Sequence, residues 1–544
     1  MQTFLKLGKM LKLDKVELTY HSLIRMSLYI LGSFMALSII VGRFFSTDSA
    51  LHFNTLAETD YESAEKEFVV KLTADPSNAK LWRMFVDARH KALFQSLTAS
   101  GSYVGITRNR RKAVTFHLSN TDFDTFLGTA VKPSATVLRF RQKILASGFS
   151  GPIPDNLSVD KSEELGRLYY DKKEYKKAIV LFYMVLEQTP SNSEIRILAL
   201  KSTQRSNPEE FLNLLEKDEW RPFFNDRLLY NYYLQKGQYH WMFYHLTKDT
   251  LSSYSLQSVI LSLIGGFCWV IFLVHLGGGW SWSGKEKFYI LLAFVLGMIS
   301  ANVCLGVIVV QEHLLDLKDY SSTASIGYNL AYCILGIGLR EELCKLLLFL
   351  PLLPFLSRLR ENYKILIYCS LVGLGFAVEE NMLYLTSSGS IQLMGRFLTA
   401  NFIHMLLTGY ICYHLVLAVK NKGRAWDGFT TALVKMIVIH GVYDFFLIDP
   451  TMASGGYSFF SMMIFVYMSM QYLSLMMTSS PPRHRYVSLT RVFTIVLCVT
   501  VGAVLFTLGV EVGLKVAIKV IFAGMLTNGI FAYMFFREFN DEVR

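Results

Sequence analysis

Ten apolar segments, each long enough to cross a bilayer, divide this chain: roughly 23–41, 256–276, 288–310, 326–355, 364–386, 396–419, 429–448, 457–477, 492–511 and 515–536. A hydrocarbon core about 30 Å thick takes about 20 residues of apolar helix to span. Within lipid, every backbone N–H and C=O must be satisfied inside its own element, which favours helices for runs of this length. The fold class this predicts is all-α: a polytopic membrane helical bundle of about ten transmembrane helices. With 52% hydrophobic and only 18% charged residues, the chain is too apolar for a string of ordinary soluble domains.

The formal net charge of +11 does not point to nucleic acid, because the lysines and arginines gather in short segments beside the apolar runs. No nucleic-acid partner is expected. A basic lead with Lys6, Lys9, Lys12, Lys15 and Arg25 precedes the first run, which lacks a small-x-small cleavage site and reads as an uncleaved signal anchor. Alternating sides from a cytoplasmic N-terminus puts four basic loops inside, marked by Lys285 and Lys287, by Arg358, Arg360 and Lys364, by Lys420, Lys422 and Arg424, and by Arg483, Arg485 and Arg491. The loops around Thr323, Ser388 and Gly455 then lie outside. The expected location is the cell (inner) membrane, with both termini cytoplasmic and the lipid bilayer as surroundings.

The expected domains are 1–44, the cytoplasmic lead and anchor; 45–253, an extracytoplasmic helical region; and 254–544, a membrane-embedded domain with its core at 326–448. In the second, Leu165, Gly166, Tyr169, Ala178, Phe182 and Pro190 fall on the tetratricopeptide spacing L-G-x2-Y…A-x3-F…P. A weaker half-match runs through Ala64, Phe68, Pro76 and Trp82. Such a region is a helical packing domain, or a concave surface for a protein partner or a substrate ectodomain. All seven cysteines lie in apolar segments, at no disulfide or metal-ligand spacing.

Four consecutive membrane segments each carry polar residues that cost very roughly 2.5 to 3.5 kcal/mol apiece at mid-bilayer. They are Glu341, Glu342 and Lys345 in the first; Glu379, Glu380 and Asn381 in the second; Arg396 and His404 in the third; His440 and Asp444 in the fourth. Lys345 is placed to pair with one glutamate and leave the other free to act. Glu379 and Glu380, adjacent on a helix, point about 100° apart and cannot share a centre. His440 and Asp444, at i and i+4, share a face, where Asp444 orients the imidazole. Such a group suits water activation by a desolvated glutamate, with histidines positioning the water and stabilising an oxyanion. Alternatively, His404, His440, Glu380 and Asp444 could ligate a divalent ion such as zinc.

The motifs E-E-x-x-K (Glu341, Glu342, Lys345), F-x-x-x-E-N (Phe376, Glu380, Asn381), R-x7-H (Arg396, His404) and H-x-x-x-D (His440, Asp444) occur in this order. Together they resemble the PrsW family of intramembrane proteases, relatives of the type II CAAX-processing and abortive-infection proteases. The resemblance covers about 326–448. It implies a glutamate-dependent endopeptidase acting on a membrane-anchored protein, with Glu341, Glu342, Glu380, His404 and His440 catalytic and Lys345, Asn381, Arg396 and Asp444 supporting. It further implies first-site cleavage of an anti-sigma factor on its extracytoplasmic side. The chain departs from the typical CAAX relative, which has histidine where this chain has Glu380, and from the short family core by its polar insertion.

Two other classes stay open on sequence alone: a proton- or ion-coupled transporter, and a non-catalytic scaffold of the same fold. No paired broken helices or inverted repeat favour the first, and the complete glutamate pair argues against the second. Other protease signatures are decoys or absent. The stretch 147–151, "SGFSG", runs into Pro152 as a turn; Tyr443-Asp444 lacks a later G-x-G-D; H-E-x-x-H does not occur.

Overall fold

The computed structural model describes residues 20–42, 67, 71, 157–277, 282–315, 325–388, 392–421, 425–479, 488–511 and 513–539. Lys6, Lys9, Lys12 and Lys15 of the basic lead, the half-match residues Ala64, Phe68, Pro76 and Trp82, the 147–151 turn, the loop at Thr323, and Lys422, Arg424, Arg483 and Arg485 of the basic loops lie outside them. No strand occurs among the described residues. The all-α expectation therefore holds there. In chain order the helices are α1 (Tyr20–Gly42), α2 (Val159–Asp171), α3 (Tyr175–Gln188), α4 (Ser193–Ser206), α5 (Pro208–Glu216), α6 (Asp226–Gln235) and α7 (Tyr239–Ser253). The membrane portion comprises α8 (Leu256–Leu276), α9 (Gly284–Leu315), α10 (Ile326–Ala331), a π-helical stretch (Tyr332–Gly338), α11 (Leu339–Phe349), α12 (Leu353–Leu356) and α13 (Asn362–Ser388). The remainder is α14 (Leu393–Leu398), α15 (Ala400–Lys420), α16 (Trp426–Ile448), α17 (Pro450–Ser454), α18 (Ser458–Ser479), α19 (Leu489–Glu511) and α20 (Leu514–Phe539).

The chain divides into two compact units, 48–252 and the remainder. In the smaller unit, α2 and α3 pack through Leu165, Tyr169, Ala178 and Phe182, all buried. Gly166 lets the Phe182 ring approach the α2 backbone, where a methyl group would be crowded by it. Residues of the 34-residue spacing thus meet in one helix-pair core, and Leu200, Phe211 and Leu228 extend it through α6.

Among the described residues of the membrane unit, eight helical spans are long and apolar enough to cross a bilayer, and α20, bent by 60° near Asn528, makes a ninth if its two halves count as one span. The segment 326–355, which the sequence predicts as one uninterrupted span, is built differently. It consists of short α pieces joined by the π stretch and a 3-10 turn, with Pro351 and Pro354 in its second half. Proline removes a helical donor and clashes with the preceding turn, while π stretches recur at functional sites. The charges at the start of α11 lower its apolar character further.

The core of this unit is aromatic and aliphatic. Trp269 is fully buried, donates to the Phe397 carbonyl at 2.8 Å and touches Phe402, Phe493 and Phe535. Helix α1 lies along α19, with Phe34 over Gly502 and Ser38 over Gly509, the small-residue contact that lets membrane helices approach. Two further close crossings fix how the polar helices meet. A side chain at Gly373 on α13 would run into the His404 backbone on α15. One at Gly441 on α16 would strike Ile334 and the Cys333 carbonyl in the π stretch.

Candidate active site

Those crossings bring polar residues of α11, α13, α14, α15 and α16 into one buried chain of contacts. Lys345 lies at its centre, with no exposed side-chain surface. Its Nζ donates to Glu342 Oε1 at 2.8 Å, approaches Glu341 Oε2 at 3.4 Å and contacts His404 Nδ1 at 2.9 Å. The Phe376 ring covers the ammonium, 3.9 Å from Nζ to centroid, a cation–π contact of the desolvated kind. Because an ammonium can only donate, His404 Nδ1 accepts, which assigns its proton to Nε2. Nε2 then donates to Glu380 Oε2 at 3.1 Å.

The two first-motif glutamates differ in what they have left to offer. Glu342 is buried, and Lys345, the Thr408 hydroxyl at 3.0 Å and His440 Nδ1 at 3.0 Å surround it. The last is an ion-pair distance rather than an aligned hydrogen bond. Glu341 keeps 13% of its side chain exposed, and its nearest contacts are longer: Lys345 at 3.4 Å and His440 Nε2 at 3.7 Å. Asp444 Oδ2 lies 3.4 Å from the same His440 nitrogen.

Glu380 is held from two sides, by His404 and by Arg396 Nη2 at 2.8 Å. The Arg396 Nε donates to Asn381 Oδ1, the Asn381 amide donates to Asn401 Oδ1 at 2.7 Å, and the guanidinium lies over the Tyr384 ring. Glu379 faces elsewhere, accepting from the Tyr254 hydroxyl at 2.8 Å and the Asn302 amide at 2.9 Å. It ties α9 and the turn just before α8 to α13.

The nine residues expected to be catalytic or supporting therefore belong to one network, together with Thr408, Asn401 and Tyr384, which the motifs do not contain, while Glu379 stands outside it. Thr408 had one faint signal, its position one turn after His404 on the same face. The donor atoms that converge as a possible metal set are those of Glu341, His404 and His440, all within 4.8 Å of one another. Among the described residues, the converging atoms share the two histidines of the sequence-expected set of His404, His440, Glu380 and Asp444 and include Glu341, while Glu380 accepts from Arg396 at 2.8 Å. Two imidazoles and one carboxylate are the protein donors of zinc peptidase sites, which leave a fourth position for water. The set fits such an ion chemically. At His404 the fit requires Nε2 to exchange its proton for the ion, since Lys345 occupies Nδ1.

The model of the PrsW family intramembrane metalloproteases matches residues 286–470, about a third of the chain and wider than the 326–448 core. Protease PrsW of Oceanobacillus iheyensis is 25% identical over 152 residues, which cover 28% of this chain and 67% of that protein. No solved structure gives a significant match. By these likenesses the chain is a multi-pass membrane peptide hydrolase.

Proposed function

We propose, for a chain that carries a PrsW-family protease region over 286–470, that Glu341 is the carboxylate that activates water for peptide-bond hydrolysis. The observation that carries this reading is the contrast within the pair: Glu342 is saturated, whereas Glu341 is partly exposed with loose contacts. Glu341 would take a proton as the water oxygen attacks the scissile carbonyl carbon, then deliver it to the leaving amine. His440, beside Glu341 and backed by Asp444, would donate to the developing oxyanion. Glu342 and Lys345 hold this geometry, and Glu380 with Arg396 and Asn381 holds His404. When a divalent ion such as zinc is bound, Glu341, His404 and His440 would hold it as ligands, and the ion would acidify the water and polarise the carbonyl in place of the Glu341 base and the His440 donor.

The substrate we infer is a membrane-anchored protein cut near its extracytoplasmic boundary, an anti-sigma factor or similar regulator being the class the resemblance implies. Two features support that side. Lys420 and Lys364 mark one end of the bundle as the basic, cytoplasmic end. His404 is eleven residues from the other end of the span 393–420 and His440 eight from that of α16, or about 16 and 12 Å at 1.5 Å per residue. The 45–253 region, on this orientation, lies outside and would select the substrate ectodomain. The test is comparative profiling of membrane-protein fragments in cells carrying the wild-type chain or Glu341→Gln. Fragments that vanish in the variant identify the substrate; identical fragment sets would leave the fold as a scaffold.

A further inference from the structure

A second polar constellation lies away from the glutamates, in a cavity of about 450 Å³ between α15, α16 and α18. Its lining includes His414, Asp427, Lys435, Met436, Tyr467 and Gln471. Lys435 is nine residues into α16, about 13 Å from Trp426, yet it is exposed on the bundle surface, where the surroundings are lipid. Among the described residues no carboxylate pairs with it. A lysine at that depth is costly unless its ammonium reaches polar partners. Helical side chains lean toward the N-terminus, so Lys435 leans toward the end of α16 that carries Trp426 and Asp427, the end neighbouring Lys420. Trp426 is itself exposed, as an interfacial anchor is.

We propose that this cavity binds the head group of an aminophospholipid, with the lipid phosphate on Lys435 and His414 and its primary ammonium on Asp427. Charge decides the class. A lone cation would suit any anionic lipid, whereas Asp427 two turns above Lys435 adds a carboxylate that repels a purely anionic head and attracts an amine. The lysine stem spans part of the roughly 12 Å between the two helix positions. Tyr467 and Gln471 offer neutral hydrogen bonds, and Met436 and Met468 give an adaptable apolar wall for the glycerol and upper acyl chain. None of these residues belongs to the proteolytic network.

The test is native mass spectrometry of the full-length protein from mixed micelles holding equal amounts of phosphatidylethanolamine, phosphatidylglycerol and phosphatidylcholine. Wild type should retain phosphatidylethanolamine preferentially. Lys435→Ala should lower retention about fivefold, the effect of one basic residue near a lipid surface, while Lys435→Arg keeps it. Asp427→Asn should abolish the preference over phosphatidylglycerol without lowering total retention. Retention of the three lipids in bulk proportion, or unchanged retention in Lys435→Ala, would overturn the proposal. Displacement of the lipid by millimolar inorganic phosphate would also overturn it, by assigning the cavity to soluble anions.

Discussion

Lys345 Nζ stands 2.9 Å from His404 Nδ1 while also holding Glu342 at 2.8 Å, so one buried cation fixes both a carboxylate and an imidazole. Lys345→Met should therefore do two things. It leaves Glu342 a buried charge without its partner, a loss of about 3 to 5 kcal/mol, and it frees His404 to rotate and change tautomer. Unfolding in mixed micelles with rising denaturing detergent, together with ¹⁵N shifts of the His404 ring, checks both. A ring protonated at Nδ1 in the wild type would contradict the tautomer assignment.

The close crossing at Gly441 predicts a packing-sensitive position next to the chemistry. Gly441→Ala forces α16 away from the π stretch, since the added carbon meets the backbone at Cys333 and Ile334. Overpacking of this kind costs about 1 to 3 kcal/mol, and His440, one residue away, moves with the helix. Hydrolysis should fall further than stability. Gly529→Ala, with open space around the new carbon, should change neither, as thermal melts and cleavage assays can show.

The polar network was legible in the sequence because each member is too expensive in a membrane segment to be incidental, and the four motifs keep their order. The separation of Glu379 from Glu380 was legible too, from helix geometry alone. The features that were not legible depend on distant packing. Glu379 meets Tyr254, 125 residues away, and no local pattern announces that. Thr408 reads as a mild polar residue in an apolar run until α11 brings Glu342 against it. The interruption of 326–355 was masked by its continuous hydrophobicity, although Gly336, Gly338, Pro351 and Pro354 stood in it. That Glu341 rather than Glu380 converges with the two histidines goes with Arg396, whose reach to Glu380 could not be read from spacing.

Metal content separates the two candidate donor sets. Purified protein loaded with zinc and dialysed should hold roughly one ion per chain, measured by elemental analysis. His440→Ala and Glu341→Gln should lose it, whereas Glu380→Gln should keep it. Loss in Glu380→Gln with retention in Glu341→Gln would restore the set expected from sequence.

The smaller unit carries its own pH dependence. Burial opposes ionisation of Asp226, but the His245 ring at 2.7 Å and the Lys248 ammonium outweigh it and hold its carboxyl below the usual value. A depressed pKa stabilises the fold above the unfolded value and loses that contribution as pH falls through the folded one, so α6 and α7 should loosen below pH ~4. Hydrogen exchange over 226–253 should accelerate in acid in wild type, and the acceleration should be smaller in Asp226→Asn.

The central claim is that Glu341 acts on water while Glu342 holds the site together. The direct measurement is turnover of a membrane-embedded substrate, first identified by fragment profiling, by purified wild type, Glu341→Gln and Glu342→Gln in proteoliposomes, with melting temperatures recorded for each. With a chelator present, so that loss of a bound ion does not enter the comparison, the account predicts that Glu341→Gln abolishes turnover, a loss of at least about 10²-fold as expected for a general base, at near wild-type melting temperature. Glu342→Gln should lose both turnover and stability. Near-normal turnover by Glu341→Gln would contradict the account.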